Sequence, residues 1–342
     1  MNPELTQREN IILQSIVQTF IAKASPVGSR YISKEFQYGL SSATIRNVMM
    51  DLEDKGYITQ PHTSAGRVPT TIGYRYYVNG LMEIEELTQI ERQAIRKYLS
   101  DVDKTDVETI LEKASKALCK ISNLLGVVLS PRILKGRFKK LELVKVNDNV
   151  LMVIISIDSG LVKTITLEVK SDISRDKLDD TTRILNERLS GLTLKEIRDT
   201  IDVRMQDVST GDSDLLKQFV KSADRLFIVD NDSLYMSGAQ NILTQPEFLQ
   251  VDKMQHILEL IDNKQELVYI LNEYDDDEYV IISIGNENQS QVLHDCSLVT
   301  NNYKIGSVTG TVGVIGPTRM QYSKLIPLVE FITEELNNLF NK

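Results

Sequence analysis

Cysteine is almost absent from the 342-residue chain, where Cys119 and Cys296 stand far apart and form no CxxC pair. Neither a disulfide framework nor a zinc site is suggested, and both residues read as ordinary buried thiols. Long apolar runs are missing too: nothing approaches the ~18 consecutive residues of a membrane span, and Met1 to Arg8 lacks the basic-then-apolar layout of a signal peptide. A soluble, cytoplasmic protein with no membrane partner is expected. The three histidines, His62, His256 and His294, lie in separate segments, with no HExxH and no Ser/His/Asp signature. Gly310-Thr311-Val312-Gly313-Val314-Ile315-Gly316 lacks the Lys-Ser/Thr of a P-loop and reads as strand interior. Asp275-Asp276-Asp277-Glu278 has no calcium-loop spacing around it and reads as a solvated turn between two strands. No catalytic, cofactor-binding or metal site is therefore expected, which places an enzyme last among the readings.

What is present is an ordinary globular composition, 42% hydrophobic and 25% charged, in a chain long enough for two or three domains. Net charge is −9, which argues against a protein that coats nucleic acid indiscriminately. The charge is uneven. Through Gly80 basic residues outnumber acidic ones, and the excess acid lies in the rest of the chain. Only the N-terminal part could approach phosphates without repulsion.

Thr6-Gln7-Arg8-Glu9 fits a capping box, and Ile12, Leu13, Ile16, Val17, Phe20 and Ile21 continue it as one apolar stripe. Ser25-Pro26 stops that helix. Ser29 is placed to cap a second helix through about Gln37, and Gly39 to end it. Ser41 or Ser42 starts a third, closed by Gly56. At 100° per residue, Ile45, Val48, Met49 and Leu52 face inward. Ala43, Asn47 and Met50 face outward, flanked by Arg46 and Thr44. Asn pairs bidentately with adenine, Arg with guanine, and an Ala or Met methyl meets that of thymine, so this face suits a major groove. Ser41 and Ser42, at the positive helix end, are placed for a phosphate.

After Gly56, Tyr57 to Gln60 is β-compatible, Pro61 to Gly66 is turn chemistry, and Arg67-Val68-Pro69 returns. Three helices and a short hairpin make a winged helix, with His62, Ser64 and Arg67 expected at the wing for phosphate or minor groove. With Arg30 of the second helix these complete the candidate DNA-binding set. Tyr74, Tyr77, Val78 and Leu81 are spaced to pack a further helix inward, leaving Arg75 outside.

The run Gly56-Tyr57-Ile58 to Pro61-His62-Thr63-Ser64-Ala65-Gly66-Arg67-Val68-Pro69-Thr70, continuing through Gly73-Tyr74-Arg75-Tyr76-Tyr77-Val78, closely resembles the bacterial heat-inducible repressor family HrcA. Ser25 to Ser29 and Ser42 to Asn47 match that family as well, and the late Gly306 to Pro317 segment is similar. The resemblance implies a repressor of chaperone operons that binds an inverted-repeat operator on double-stranded DNA as a homodimer. It further implies that a chaperonin helps the protein reach its active fold.

Beyond the N-terminal part, Leu87 to Leu99 and Val107 to Leu125 read as helices. Leu141 to Val146, Val150 to Ile157 and Val162 to Val169 read as an antiparallel meander. Helices are expected at Arg175 to Leu189, Leu215 to Ala223 and Lys253 to Ile261, with a β pair at Leu226 to Val229 and Ser233 to Met236. Further strands are expected at Leu267 to Leu271, Tyr279 to Ile284, Ser297 to Thr300 and Ser307 to Ile315. A closing helix spans Lys324 to Phe340. Pattern alone gives an α+β multidomain protein with an insertion; the resemblance implies a GAF-like domain carrying a dimerisation insert. The expected division is a winged-helix domain at 1–82, a linker helix at 83–103, a GAF-like domain at 104–170 and 249–342, and an inserted α/β dimerisation domain at 171–248. A competing reading makes the GAF-like domain a metabolite sensor that tunes repression through a ligand-driven population shift.

Overall fold

The computed structural model of the chain describes residues 4–62, 65–100, 106–169, 173–206, 213–223, 233–272 and 279–341. Helices and sheets are mixed, and the chain divides into two compact units. Met1–Leu129, Leu234–Asn302 and Thr311–Glu335 form the first; Ser130–Ser233, Tyr303–Gly310 and Leu336–Lys342 form the second.

In the first unit, α1 (Gln7–Lys23) opens at the anticipated capping box, with the Thr6 amide donating to Glu9 Oε2 at 2.8 Å and the Glu9 amide to Thr6 Oγ1 at 3.3 Å. Ile12, Leu13, Ile16 and Val17 are fully buried. Helix α2 (Ser29–Glu35) is capped by Gly28 rather than Ser29. The reason is packing: Ser29 is buried, and its hydroxyl lies 3.1 Å from that of Ser42 instead of bending onto its own helix. Helix α3 (Ser42–Asp54) is capped by Ser41, whose Oγ accepts from the Thr44 amide. It ends before Gly56, which takes the left-handed φ of 80° that a Cβ disfavours. Strands β1 (Ile58–Thr59) and β2 (Val68–Pro69) then pair antiparallel, and α4 (Thr71–Gly80) comes next.

Helix α5 (Gln89–Ser100), expected as a linker, lies against the final helix of the chain. Its Arg92 and Arg96 sit over the Phe331 ring at 5.2 and 5.3 Å, and Glu91 meets Lys324 at 2.6 Å. Helix α6 (Val107–Ser122) stops at Asn123, in the left-handed region with φ 56°, short of the expected Leu125. The chain then enters β3 (Leu125–Leu129), a strand buried at every position. Buried on both faces, such a strand shows no apolar-polar alternation, so its first residue, Leu125, reads as the last of the helix and the remainder carries no strand signal.

Strand β3 is an interior strand. The sheet order is β7-β3-β10-β9-β8, with β7 (Leu234–Ser237), β10 (Val308–Pro317), β9 (Cys296–Ile305) and β8 (Ile281–Ile284). Leu129 pairs with Leu234 on one side and Thr311 on the other. Leu125, Val127 and Leu129 pack into a core with Ile257 and Leu260 of α11 (Val251–Asp262) and Leu267, Ile270 and Leu271 of α12 (Lys264–Asn272). The expected strand at Leu267 to Leu271 is therefore helix: a five-residue apolar run suits both periods, and here the three-to-four spacing of buried positions prevails. On the opposite face α6 covers Gly126, where a Cβ would stand 2.4 Å from the Ser115 carbonyl oxygen. Asn288, buried beside this core, is satisfied in full: it accepts from Ser283 Oγ and donates to the Gly285, Leu293 and Cys296 carbonyls. The first unit also contains α10 (Ala239–Leu243), and the final helix α13 (Tyr322–Phe340) begins in it.

In the second unit β4 (Phe138–Asn147), β5 (Val150–Ile157) and β6 (Val162–Glu168) form the anticipated meander as a separate three-stranded sheet. It groups with α7 (Arg175–Leu189), α8 (Leu194–Arg204) and α9 (Ser213–Lys221) rather than with the five-stranded sheet. The division thus differs from 104–170 and 249–342 around an insert at 171–248: the chain changes units at Leu129 and returns at Leu234. Residues 1–82 and 83–100 belong with the five-stranded sheet. Helix α8 was not anticipated, although Thr193 and Glu196 form a capping box that announces it. The Asn186 side chain exchanges two hydrogen bonds with the Leu141 backbone, 2.7 and 2.8 Å, closing the free edge of β4. Strand β7 pairs with β3; Leu226 to Val229, expected as its partner, and the acidic run 275–278 lie outside the described residues.

This packing sets two expected outcomes. Gly126→Ala drives a methyl into the α6 backbone and lowers unfolding free energy by about 1–3 kcal/mol, measured by denaturant titration. The Lys324 ammonium, with Thr88 behind it, holds the Glu91 carboxyl down at about 2 against an ordinary 4.5. A carboxyl depressed on folding stabilises above its unfolded value and ceases to do so as pH falls through its folded one. Glu91→Gln therefore lowers the melting temperature at neutral pH and makes its decline between pH 4.5 and 2 shallower.

Candidate nucleic-acid interface

Helix α3 is amphipathic in the sense its sequence requires. Ile45, Val48, Met49 and Leu52 are buried, while Ala43, Arg46, Asn47 and Met50 are exposed together on the opposite arc, Met50 by 52%. Ser41 is exposed; its hydroxyl lies 2.9 Å from that of Thr44. Ser42 turns inward to Ser29, a contact that sets the start of α2 beside the start of α3 and leaves Arg30 exposed next to it. Two of the residues named for phosphate and groove, Ser42 and Thr44, are thus half-buried, with their hydroxyls in contact with other hydroxyls.

The β1–β2 pair is steadied from two directions. Ala65 N donates to the His62 carbonyl at 2.8 Å and Gln60 Nε2 to the Ala65 carbonyl at 3.0 Å, closing the turn. His62 is exposed; Ser64 lies outside the described residues. Val27 and Arg67 exchange backbone hydrogen bonds of 2.8 and 2.9 Å, so Ser25-Pro26-Val27-Gly28 lends the pair a third edge. Gly66 is required there, because a Cβ would come within 2.5 Å of the Val27 carbonyl group.

Arg67 corrects the sequence reading. It is not a free cation at a tip: its guanidinium meets Glu53 of α3 at 2.7 Å, its side chain is only 17% exposed, and its Nε is buried without a partner among the described residues. The physical reason is its place at the base of β2, held by the Val27 bridge, where the side chain runs back along α3.

Arg75 is a second correction. Expected outside, it pairs through two nitrogens with both oxygens of Glu287, one at 2.8 Å, and donates to the Ile282 carbonyl at 2.6 Å. Tyr74 and Tyr77 are buried as their spacing requires, and the Tyr74 ring stands 6.3 Å from that of Tyr322. Burial pushes the Tyr74 hydroxyl well above its ordinary range. Nothing local marks the Arg75 and Glu287 pairing, since 212 positions separate the partners.

Thr70 fastens this region to α3. Its hydroxyl is shared between the Gly56 and Tyr57 carbonyls at 2.7 and 3.1 Å, and it accepts from the Gly73 amide at 3.2 Å. A Cβ at Gly73 would fall 2.1 Å from the Tyr57 oxygen, so the chain crosses there only as glycine. Among the described residues no group of three or more His, Cys, Asp or Glu could hold a metal ion, and no helix is long and apolar enough to cross a membrane.

Comparison with known proteins bears on this geometry. A family profile described as HrcA protein C terminal domain matches residues 108–326. The heat-inducible transcription repressor HrcA of Chlorobium phaeobacteroides (strain BS1) is 43% identical over 352 residues, covering 98% of each chain. That of Prosthecochloris aestuarii (strain DSM 271 / SK 413) is 42% identical over 349 residues, covering 99% of this chain and 98% of its own. A crystal structure of a hypothetical protein aligns with a TM-score of 0.60 at 23% identity, over 98% of this chain and 99% of its own, a likeness of fold. With relatives of this identity along nearly its whole length and the family profile over most of it, the chain belongs to the HrcA family of heat-inducible transcription repressors.

Proposed function

We propose that the chain is a sequence-specific repressor of heat-shock (chaperone) operons, cytoplasmic and without enzymatic activity, that binds an inverted-repeat operator on double-stranded DNA as a homodimer. In this reading α1 to α4 with the β1–β2 wing form a winged helix-turn-helix, and α3 enters the major groove of each half-site. The observation that carries it is the bare arc of Ala43, Arg46, Asn47 and Met50 on a helix whose other side is fully packed. Asn47 and Arg46 have the donor and acceptor sets for adenine and guanine, and the Ala43 and Met50 methyls suit thymine. Ser41 at the positive end of α3, Arg30 and His62 are read as the groups that meet backbone phosphate, a role the reading gives to Ser64 as well. Arg67 acts on the wing rather than on DNA.

The five-stranded sheet with helices on both faces is read as the GAF-like domain, and the second unit as the dimerisation domain. Register puts Val144, Met152, Ile154 and Val162 on one face of the meander, opposite the buried Leu151, Val153 and Ile155. That face, where these apolar residues, Val162 among them at 61% accessible, adjoin Lys140, Glu142, Thr164 and Thr166, supports a second copy packing there. Chaperonin-assisted folding is supported by topology: β3 must wait for partners more than a hundred residues later in the chain, and such non-local pairing is slow and leaves strand edges exposed.

Gel-shift titration on duplexes selected by the protein from a randomised pool, with sedimentation for stoichiometry, tests the reading. Asn47→Ala or Arg46→Ala costs about 1–3 kcal/mol and relaxes preference at one base position. Equal loss on selected and random duplexes would sink base reading by α3. Arg67→Ala instead lowers unfolding free energy by about 1 kcal/mol and leaves the salt dependence of binding unchanged, whereas Arg30→Ala reduces the slope by about one counterion.

A further inference from the structure

The N-terminal part does not hang from a free tether. Arg75 projects from α4 one turn beyond Thr70, and Glu287 answers it from the 3-10 turn Gly285–Glu287 that succeeds β8. The carboxylate is itself anchored, because Glu287 Oε2 accepts from the Ile284 amide at 2.8 Å. Gly285 has φ +51°, and a Cβ there would stand 2.8 Å from Thr71 Oγ1, so the first turn of α4 rests directly on that glycine. At the far end of α1, Arg319 donates to the Ile21 carbonyl at 3.2 Å while held by Glu247 and by Gln245 at 2.9 Å. Between these fastenings the Glu85 amide donates to the Ser323 carbonyl at 3.0 Å.

A path of bonded or close-packed groups therefore runs from α3 through Gly56 and Tyr57 to Thr70, along α4 to Arg75, and across to Glu287 and the five-stranded sheet. We propose that Arg75 and Glu287 are a positioning pair: they touch no DNA, and they fix the angle at which α3 is presented, so that two copies meet two half-sites at once. This rests on the DNA-binding reading above. A rigid mount matters only when both half-sites are engaged together, because the second contact is then intramolecular and its strength depends on geometry already being correct. One half-site can be met by a head at any angle.

The test uses the full-length protein and two probes: the two-half-site duplex that the wild type selects, and the same duplex with one half scrambled. Arg75→Glu lowers affinity for the first by about tenfold or more while changing affinity for the second by less than about threefold. Arg75→Glu combined with Glu287→Arg regains at least about threefold of the lost affinity, since attraction replaces repulsion, but stops short of wild type because the Ile282 carbonyl and the Ile284 amide lose their partners. Arg75→Met, which removes charge without repulsion, gives an intermediate loss, and melting curves of each variant establish that it is folded. Equal loss on both probes, no recovery in the exchanged double variant, or tighter binding after Arg75→Glu overturns the proposal; the last would make the pair an inhibitory clamp. A wild type that prefers no selected duplex over a scrambled one defeats the DNA-binding reading itself, a result separate from these.

Discussion

A single threonine hydroxyl carries an unusual share of the arrangement. Thr70 joins the carbonyls at the exit of α3 to the first turn of α4, and Gly73 lets the two backbones approach closely enough for it to do so. One hydroxyl in water is worth little, but here it bridges backbone groups that packing withdraws from water, beside the bond that the Thr70 amide already makes to the Tyr57 carbonyl. The joint ties the exit of α3 to the start of α4. Farther along the same helix lie the buried Tyr74 and Tyr77 and the reach of Arg75 to Glu287. The run from Pro69 to Gly73 is thus a mechanical part, and its glycine is required by contact distance rather than by a turn.

Local signals in the sequence were enough for the N-terminal elements. Thr6 with Glu9, Ser41 with Thr44, and Gly56 at positive φ are start and stop marks that act within four residues, and the apolar period between them is unambiguous. The outward arc of α3 comes from the same period. Side chains whose partners lie far along the chain could not be read in this way. Arg67 resembles a free basic residue until Glu53 is brought beside it, and Arg75 until Glu287 is. Ser29 looks like a cap until Ser42 takes its hydroxyl.

Two apolar runs in the larger part of the chain escaped the sequence for one reason. Leu125 to Leu129 and Leu267 to Leu271 are apolar runs of similar length: the first is an interior strand that periodicity left without an element beyond Leu125, and the second is a helix turn that it read as a strand. Burial on all sides erases alternation, so only the pairing partners distinguish them. The meander was legible as strands but not as a separate sheet, because membership of a sheet depends on which edges meet. Asn186, seated along the free edge of β4, shows how that sheet is closed without joining the other.

Leu129 and Leu234 face one another in the ladder, so a hundred-residue excursion begins and ends at two points already touching. Chain closure grows only logarithmically with the length enclosed. The entropic cost of bringing β3 and β7 together therefore changes little with the number of residues strung between these leucines, and one ladder holds both ends of the excursion at a single place.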